Sequence, residues 1–199
     1  MNIQRFVLGD IRSNCYVISK NKNAWIIDPG FEAPSVVQYL KEENLNVLGV
    51  YITHGHFDHC GGINYLKEHF DFSVYAPIKD RMWFDLTPYN RLGYEIKIDF
   101  WVHEGMQIPF EDDSFTVYET PGHSPGSTAL SIGNVLFVGD TLFYQSIGRT
   151  DINLADQMTL YHTIKRLYNL FPDETIVFPG HGKETTIGHE KKYNPFVRK

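Results

Sequence analysis

Cysteine is scarce in this chain of 199 residues: Cys15 and Cys60 are the only two. Two distant cysteines make no disulfide framework, which removes the small secreted scaffolds from consideration. Basic charge is short as well, with 18 Lys and Arg against 24 Asp and Glu and a formal net charge of -6. Phosphate backbones demand clustered cations, so no nucleic-acid partner is expected. Apart from a small group at Lys191, Lys192, Arg198 and Lys199, the basic residues are scattered. The segment Met1–Leu8 has only the short apolar run Phe6-Val7-Leu8. A secretory core needs about 7–15 apolar residues and a membrane span about 20, so the expected location is cytoplasmic, with no membrane partner. Repeats, low-complexity tracts and linkers are also lacking. What remains, 42% hydrophobic and 21% charged residues, is the balance of a globular chain with a sizeable core, and residues 1–199 read as one domain.

Against these absences stands one dense local feature. His54-Gly55-His56-Phe57-Asp58-His59 places three imidazoles and a carboxylate in the order His-x-His-x-Asp-His. Imidazole nitrogen and carboxylate oxygen suit zinc and its first-row neighbours. With 9 His in the chain, such a run arises by chance roughly once in a thousand sequences of this composition. Val47, Leu48, Val50 and Ile52 precede it and Gly61-Gly62 follow it, so the run lies in a loop after a strand, where sites of α/β proteins open. Cys60 abuts the run and reads as a small buried hydrophobe.

Alternation and apolar runs predict strands at Ile3-Leu8, Cys15-Ser19, Ala24-Ile27, Val47-Thr53 and Ser73-Ala76. Helices are expected over Glu32-Leu45, with Pro34 in the first turn, and over Gly62-Phe70. A similar order returns with strands at Phe115-Glu119, Thr128-Ile132, Val135-Val138 and Thr175-Phe178 and a helix over Ala155-Phe171. Two such halves predict an α/β protein, a four-layer αββα sandwich. Between them, Arg81-Trp101 is rich in aromatics and reads either as core packing or as a wall over the site.

Three later strands each run into a metal-type residue flanked by glycine: His123 in Pro121-Gly122-His123-Ser124-Pro125-Gly126, Asp140 in Gly139-Asp140-Thr141, and His181 in Pro179-Gly180-His181-Gly182. Glycine lets the backbone turn sharply beside a ligand. The other histidines, His69, His103, His162 and His189, lack this context and read as surface or packing residues.

With Asp28-Pro29-Gly30, these segments resemble the metallo-β-lactamase fold superfamily over nearly the whole chain. The likeness is greatest to short hydroxyacylglutathione hydrolases of the glyoxalase II type, through Thr120–Gly126, Gly139-Asp140-Thr141-Leu142-Phe143, Ser146-Ile147-Gly148-Arg149-Thr150-Asp151, Thr185-Thr186-Ile187-Gly188 and Asn194-Pro195-Phe196. The resemblance implies two divalent metals, zinc first, with iron or manganese as alternatives. It assigns His54, His56 and His123 to one ion, Asp58, His59 and His181 to the other, and Asp140 as the bridge. It implies hydrolysis of a thioester such as S-lactoylglutathione by a metal-bridging hydroxide, with Asp58 orienting that hydroxide and Asp28 supporting the loop.

Asp140 stands where β-lactamases of this fold usually carry Cys or Ser, so antibiotic hydrolysis is not expected. His56 stands where diiron oxygen-reducing relatives carry Glu. With the sequence ending at Lys199, the helical domain that contacts glutathione in full-length glyoxalase II is expected to be absent, which leaves the thiol carrier open. Persulfide dioxygenases resemble the same loops, including Gly-Arg-Thr-Asp; they would use one iron on His54 or His56, His123 and Asp140. Other small esters or lactones remain alternative substrates. The expected partner is a small molecule, an anionic thiol conjugate, with Lys183 and Arg149 as candidate substrate-binding cations; no signal fixes an oligomeric state.

Overall fold

The computed structural model describes residues 1–198, so the last member of the basic group, Lys199, lies outside the described residues. The chain forms two compact units, residues 1–102 and 103–199.

In the first unit the order is β1 (Asn2–Leu8), β2 (Ser13–Lys20), β3 (Asn23–Ile27), α1 (Pro34–Glu42), β4 (Asn46–Tyr51), α2 (Phe57–Cys60), α3 (Ile63–Lys67), β5 (Ser73–Pro77), α4 (Arg81–Phe84) and β6 (Phe100–Val102). Among the described residues the six strands make one sheet in sequence order. β1–β2–β3 is an antiparallel meander, and β3, β4, β5 and β6 run parallel. Parallel strands need crossovers, which α1 and the short helices supply. Val36, Val37 and Leu40 give α1 its buried stripe, against a core that includes Val17, Ile26, Val50 and Ile52. The helix is shorter than its pattern suggested. Pro34 opens it, and Asn44 beyond its end takes a left-handed φ of +51°, which Asn tolerates at helix ends.

The second unit follows as β7 (Gln107–Phe110), β8 (Asp113–Glu119), β9 (Thr128–Ile132), β10 (Val135–Gly139), β11 (Leu142–Phe143), β12 (Ser146–Ile147), α5 (Gln157–Leu170), β13 (Ile176–Pro179), β14 (Thr185–Thr186) and α6 (Ile187–Tyr193). Its sheet has the order β14-β13-β10-β9-β8-β7, with β11-β12 as a separate hairpin. Asp156 caps α5 by accepting a hydrogen bond from the Thr159 N–H at 2.7 Å. Leu160, Ile164 and Leu167 then face the core with Leu136, Val138 and Val177.

Strand direction decides where the loops emerge. β9 is antiparallel to both β8 and β10, and β13 is parallel to β10. β8, β10 and β13 therefore point the same way, and the residues after each leave from one end of this sheet. In the first sheet, parallel β3, β4 and β5 likewise share one carboxyl end, from which Asp28, the histidine run and Asp80 emerge. This is the α/β fold class expected from the alternation of elements. The aromatic segment divides: Trp83, Phe84 and Ile96 are buried, Trp101 joins β6, and Tyr89 and Tyr94 are exposed.

Candidate metal centre

In the first unit the run opens beyond β4, and its last residues coil into α2. His54 and His59 are fully buried, and Asp58 nearly so. The rings are crowded, with His54 at 4.7 Å from His56 and 4.2 Å from His59 between centroids. Asp28 organises them from the end of β3. Its Oδ1 accepts the Thr53 N–H at 2.7 Å, and its Oδ2 accepts the Thr53 hydroxyl at 2.7 Å and pairs with His59 Nδ1 at 2.9 Å. Since the Thr53 hydroxyl proton goes to Asp28, the contact of 3.1 Å between Thr53 Oγ1 and His54 Nδ1 has the ring nitrogen as donor. Both imidazoles thus carry their proton on Nδ1 and present the Nε2 lone pair, the arrangement outer carboxylates impose on metal-binding histidine. Asp28 sits at φ +52°, a left-handed conformation costing about 1–3 kcal/mol that functional sites hold in place by surrounding contacts.

Asp28, His54 and His59 offer ligand atoms within 4.8 Å of one another. Because Asp28 already accepts hydrogen bonds from Thr53 and pairs with His59 Nδ1, it backs the candidate ligands, and Asp58 is the carboxylate of the run on the Nε2 side of His59. Asp58 Oδ2 lies 3.4 Å from His59 Nε2. A lone pair and a carboxylate oxygen facing each other at that distance repel, and a divalent cation converts the repulsion into coordination.

The second unit repeats this logic with dispersed residues. His123 Nδ1 is 2.9 Å from the carbonyl oxygen of Arg149. A carbonyl only accepts, so Nδ1 carries the proton and Nε2 the lone pair. That Nε2 lies 3.5 Å from Asp140 Oδ2, and His181 Nε2 approaches the same oxygen at 3.5 Å. Two imidazole nitrogens converging on one carboxylate oxygen form a donor set suited to zinc or iron, with Asp140 placed to share a cation with either ring. Each unit's residues fit a divalent metal on these grounds.

Further residues support the candidate ligands, and of these Asp80 carries no sequence signal of its own. Asp80, fully buried after β5, accepts the N–H of Gly55 between His54 and His56 at 2.9 Å. Trp83 lies edge-on to His56 at 5.3 Å. Gly30 and Gly148 are required by close approach: a Cβ on Gly30 would meet the carbonyl oxygen of Asp58 at 1.6 Å, and one on Gly148 that of Asp140 at 1.7 Å. Cys60 is buried, and burial pushes its thiol well above its ordinary pKa, with Asp28 adding to the effect; its Sγ donates to the carbonyl of His56 at 3.3 Å.

The candidate cations differ from each other. Arg149 engages Asp151 through two hydrogen bonds, Nε to Oδ1 at 2.8 Å and a terminal nitrogen to Oδ2 at 3.0 Å. Both groups are exposed, so the pair adds little to stability. Lys183 follows His181 by two residues and sets its ammonium 3.5 Å from the centroid of the Tyr144 ring. Among the other histidines, His69 packs on Tyr65, His103 Nδ1 lies 3.1 Å from the Glu104 carbonyl, and His189 stacks on Tyr144.

The fold and ligand chemistry define a class, the metal-binding hydrolases of the metallo-β-lactamase fold. The chain belongs to that superfamily: the metallo-beta-lactamase superfamily profile matches residues 8–181. It is 36% identical to the hydroxyacylglutathione hydrolase GloC of Haemophilus influenzae, over 99% of this chain and 98% of that protein. Among solved structures it is similar to the BLEG-1 B3 metallo-beta-lactamase (TM-score 0.89, 38% identity, 98% of this chain and 99% of that one). It is also similar to TTHA1623 in a di-iron-bound form (TM-score 0.83, 35% identity, 98% and 100%). ETHE1 from Myxococcus xanthus has a TM-score of 0.83 at 28% identity, covering 99% and 84%. No helix among the described residues is long and apolar enough to cross a membrane.

Proposed function

We propose that this chain hydrolyses thioesters of small anionic thiols, with S-lactoylglutathione as the reference substrate. The observation that supports the thioester class is the end-to-end likeness to a hydroxyacylglutathione hydrolase. The family resemblance supplies the ligand assignment: His54, His56 and His123 for one divalent ion, Asp58, His59 and His181 for a second, and Asp140 between them. Bound metals would supply Lewis acidity and a water activated near neutral pH. The chain's own residues set the rest. Asp58 orients the attacking water or hydroxide by accepting a hydrogen bond from it. Asp28, through His59 and Thr53, keeps the ligand rings in the Nδ1-protonated form, and the Arg149 carbonyl does the same for His123. In the reaction a C–O bond forms at the acyl carbon and the C–S bond breaks. The thiolate leaves and is protonated by solvent, giving a carboxylic acid and a thiol. The test is turnover of S-lactoylglutathione by protein fully loaded with zinc; no activity on any acyl-glutathione at full metal occupancy contradicts the proposal.

The likenesses to ETHE1 and to a di-iron-bound protein support a second reading, iron-dependent persulfide dioxygenation. Metal analysis with oxygen uptake on glutathione persulfide separates the two. Two zinc-type ions and no oxygen uptake remove the oxygenase. A chromogenic cephalosporin in the same panel tests the activity named for BLEG-1.

A further inference from the structure

Lys183 holds its ammonium over an aromatic ring. Among the described residues no carboxylate pairs with it; its contact is the face of the Tyr144 ring at 3.5 Å. Lysine in solution spreads over many rotamers, and ordering it for a ligand forfeits about 2 kcal/mol. A ring that already holds the ammonium reduces that loss.

The ring itself is built in. Tyr144 stacks on His189 at 4.9 Å and 21°, and His189 also meets Tyr193 at 4.9 Å in a tilted contact. Gln145 Nε2 reaches both the Tyr144 hydroxyl at 3.4 Å and His189 Nε2 at 3.2 Å. The hairpin carrying Tyr144 is tied to α6 by buried groups. The Gln145 N–H donates to the fully buried Glu190 at 2.9 Å, and Asn194 Nδ2 donates to the Ser146 carbonyl at 3.0 Å. Both arms of this arrangement leave from metal-type residues: Lys183 lies two residues beyond His181, and the hairpin begins two residues beyond Asp140. In a chain of net charge -6, a cation held there is suited to attracting an anion.

We infer that Lys183, preset by Tyr144, is the subsite for an anionic group on the thiol-carrier half of the substrate. The inference rests on the thioester reading for the substrate's identity, and its test is binding rather than turnover. The probes are S-hexylglutathione, its diethyl ester and S-hexyl-coenzyme A, measured by calorimetry on zinc-loaded protein. Metal content and melting temperature serve as folding controls. For S-hexylglutathione, Lys183→Met is expected to weaken binding about tenfold, matching the deficit of the diethyl ester on the unaltered protein. Tyr144→Leu should weaken it about threefold, Tyr144→Phe should bind like the unaltered protein, and the K183M/Y144L double variant should be no weaker than K183M. Dependence on Lys183 seen only with the coenzyme A thioether also supports the subsite and assigns phosphate as its anion. Equal binding by K183M for both anionic probes, or no binding to the unaltered protein, overturns the inference. Lys183-dependent binding with no turnover of any acyl-glutathione at full metal occupancy removes the thioesterase reading and leaves the subsite standing.

Discussion

In residues 1–102 four metal-type side chains come from a single six-residue segment; in residues 103–199 three come from separate strand ends between positions 123 and 181. The first group gains its density from local chain geometry, a loop closing into the short helix Phe57–Cys60. It is held from outside by Asp28 and Asp80, delivered by the strands on either side. The second gains its convergence from the sheet, because three strands with a common direction release His123, Asp140 and His181 at one end. Its supports are backbone groups such as the Arg149 carbonyl. A contiguous cluster needs neighbours to fix its rings, whereas a dispersed one needs the sheet itself to be correct. Substitutions should therefore fail differently in the two regions.

The largest effect is expected at Asp140, whose one oxygen faces both imidazoles of its unit. Asp140→Ala should lower bound metal, measured by elemental analysis, and reduce hydrolysis by more than the roughly 100-fold that loss of an outer partner brings. Retention of full metal content would break the assignment of the dispersed group. Next are the two close-approach glycines. Gly30→Ala and Gly148→Ala drive a methyl into the carbonyl of Asp58 and of Asp140 respectively and should destabilise by about 3 kcal/mol, the upper part of the overpacking range. Thermal melting checks this, and unchanged melting of either variant would show that its loop yields freely.

How much of this was open to sequence reading follows from the same contrast. The run at residues 54–59 declares itself because its metal-type residues are clustered, and Thr128–Ile132 is a strand over the very residues its pattern marks. His123, Asp140 and His181 were legible only through the repeated context of apolar strand, glycine and ligand. Asp80 was not legible: its role depends on β5 lying beside β4, a pairing that no spacing encodes. The two-residue strands Leu142–Phe143, Ser146–Ile147 and Thr185–Thr186 were missed for a similar reason. Segments that short carry no periodicity and exist through their partners.

The outer carboxylates sharpen the comparison further. Asp28→Asn keeps an acceptor but loses the charge behind His59, and metal affinity should fall about 10–100-fold, read by competition with a chromophoric chelator. Asp80→Ala leaves the buried Gly55 N–H without its acceptor and should cost about 1–3 kcal/mol of stability, with a smaller change in affinity than at Asp28. The reverse order would mean that the backbone between His54 and His56, rather than the ring tautomers, governs the first group. Smallest is Thr186→Ala. Thr186 accepts the His189 N–H at 3.1 Å and caps Ile187–Tyr193; its loss should lower stability by about 1 kcal/mol and leave metal content unchanged.

The most direct test of the proposed metal-dependent hydrolysis is a zinc titration of chelator-stripped protein followed by metal analysis and S-lactoylglutathione turnover together. The account predicts that turnover is absent without metal, returns as zinc is added and reaches its plateau at two equivalents per chain. Full turnover in the continued presence of a strong chelator, or a plateau with no more than one equivalent bound, would contradict it.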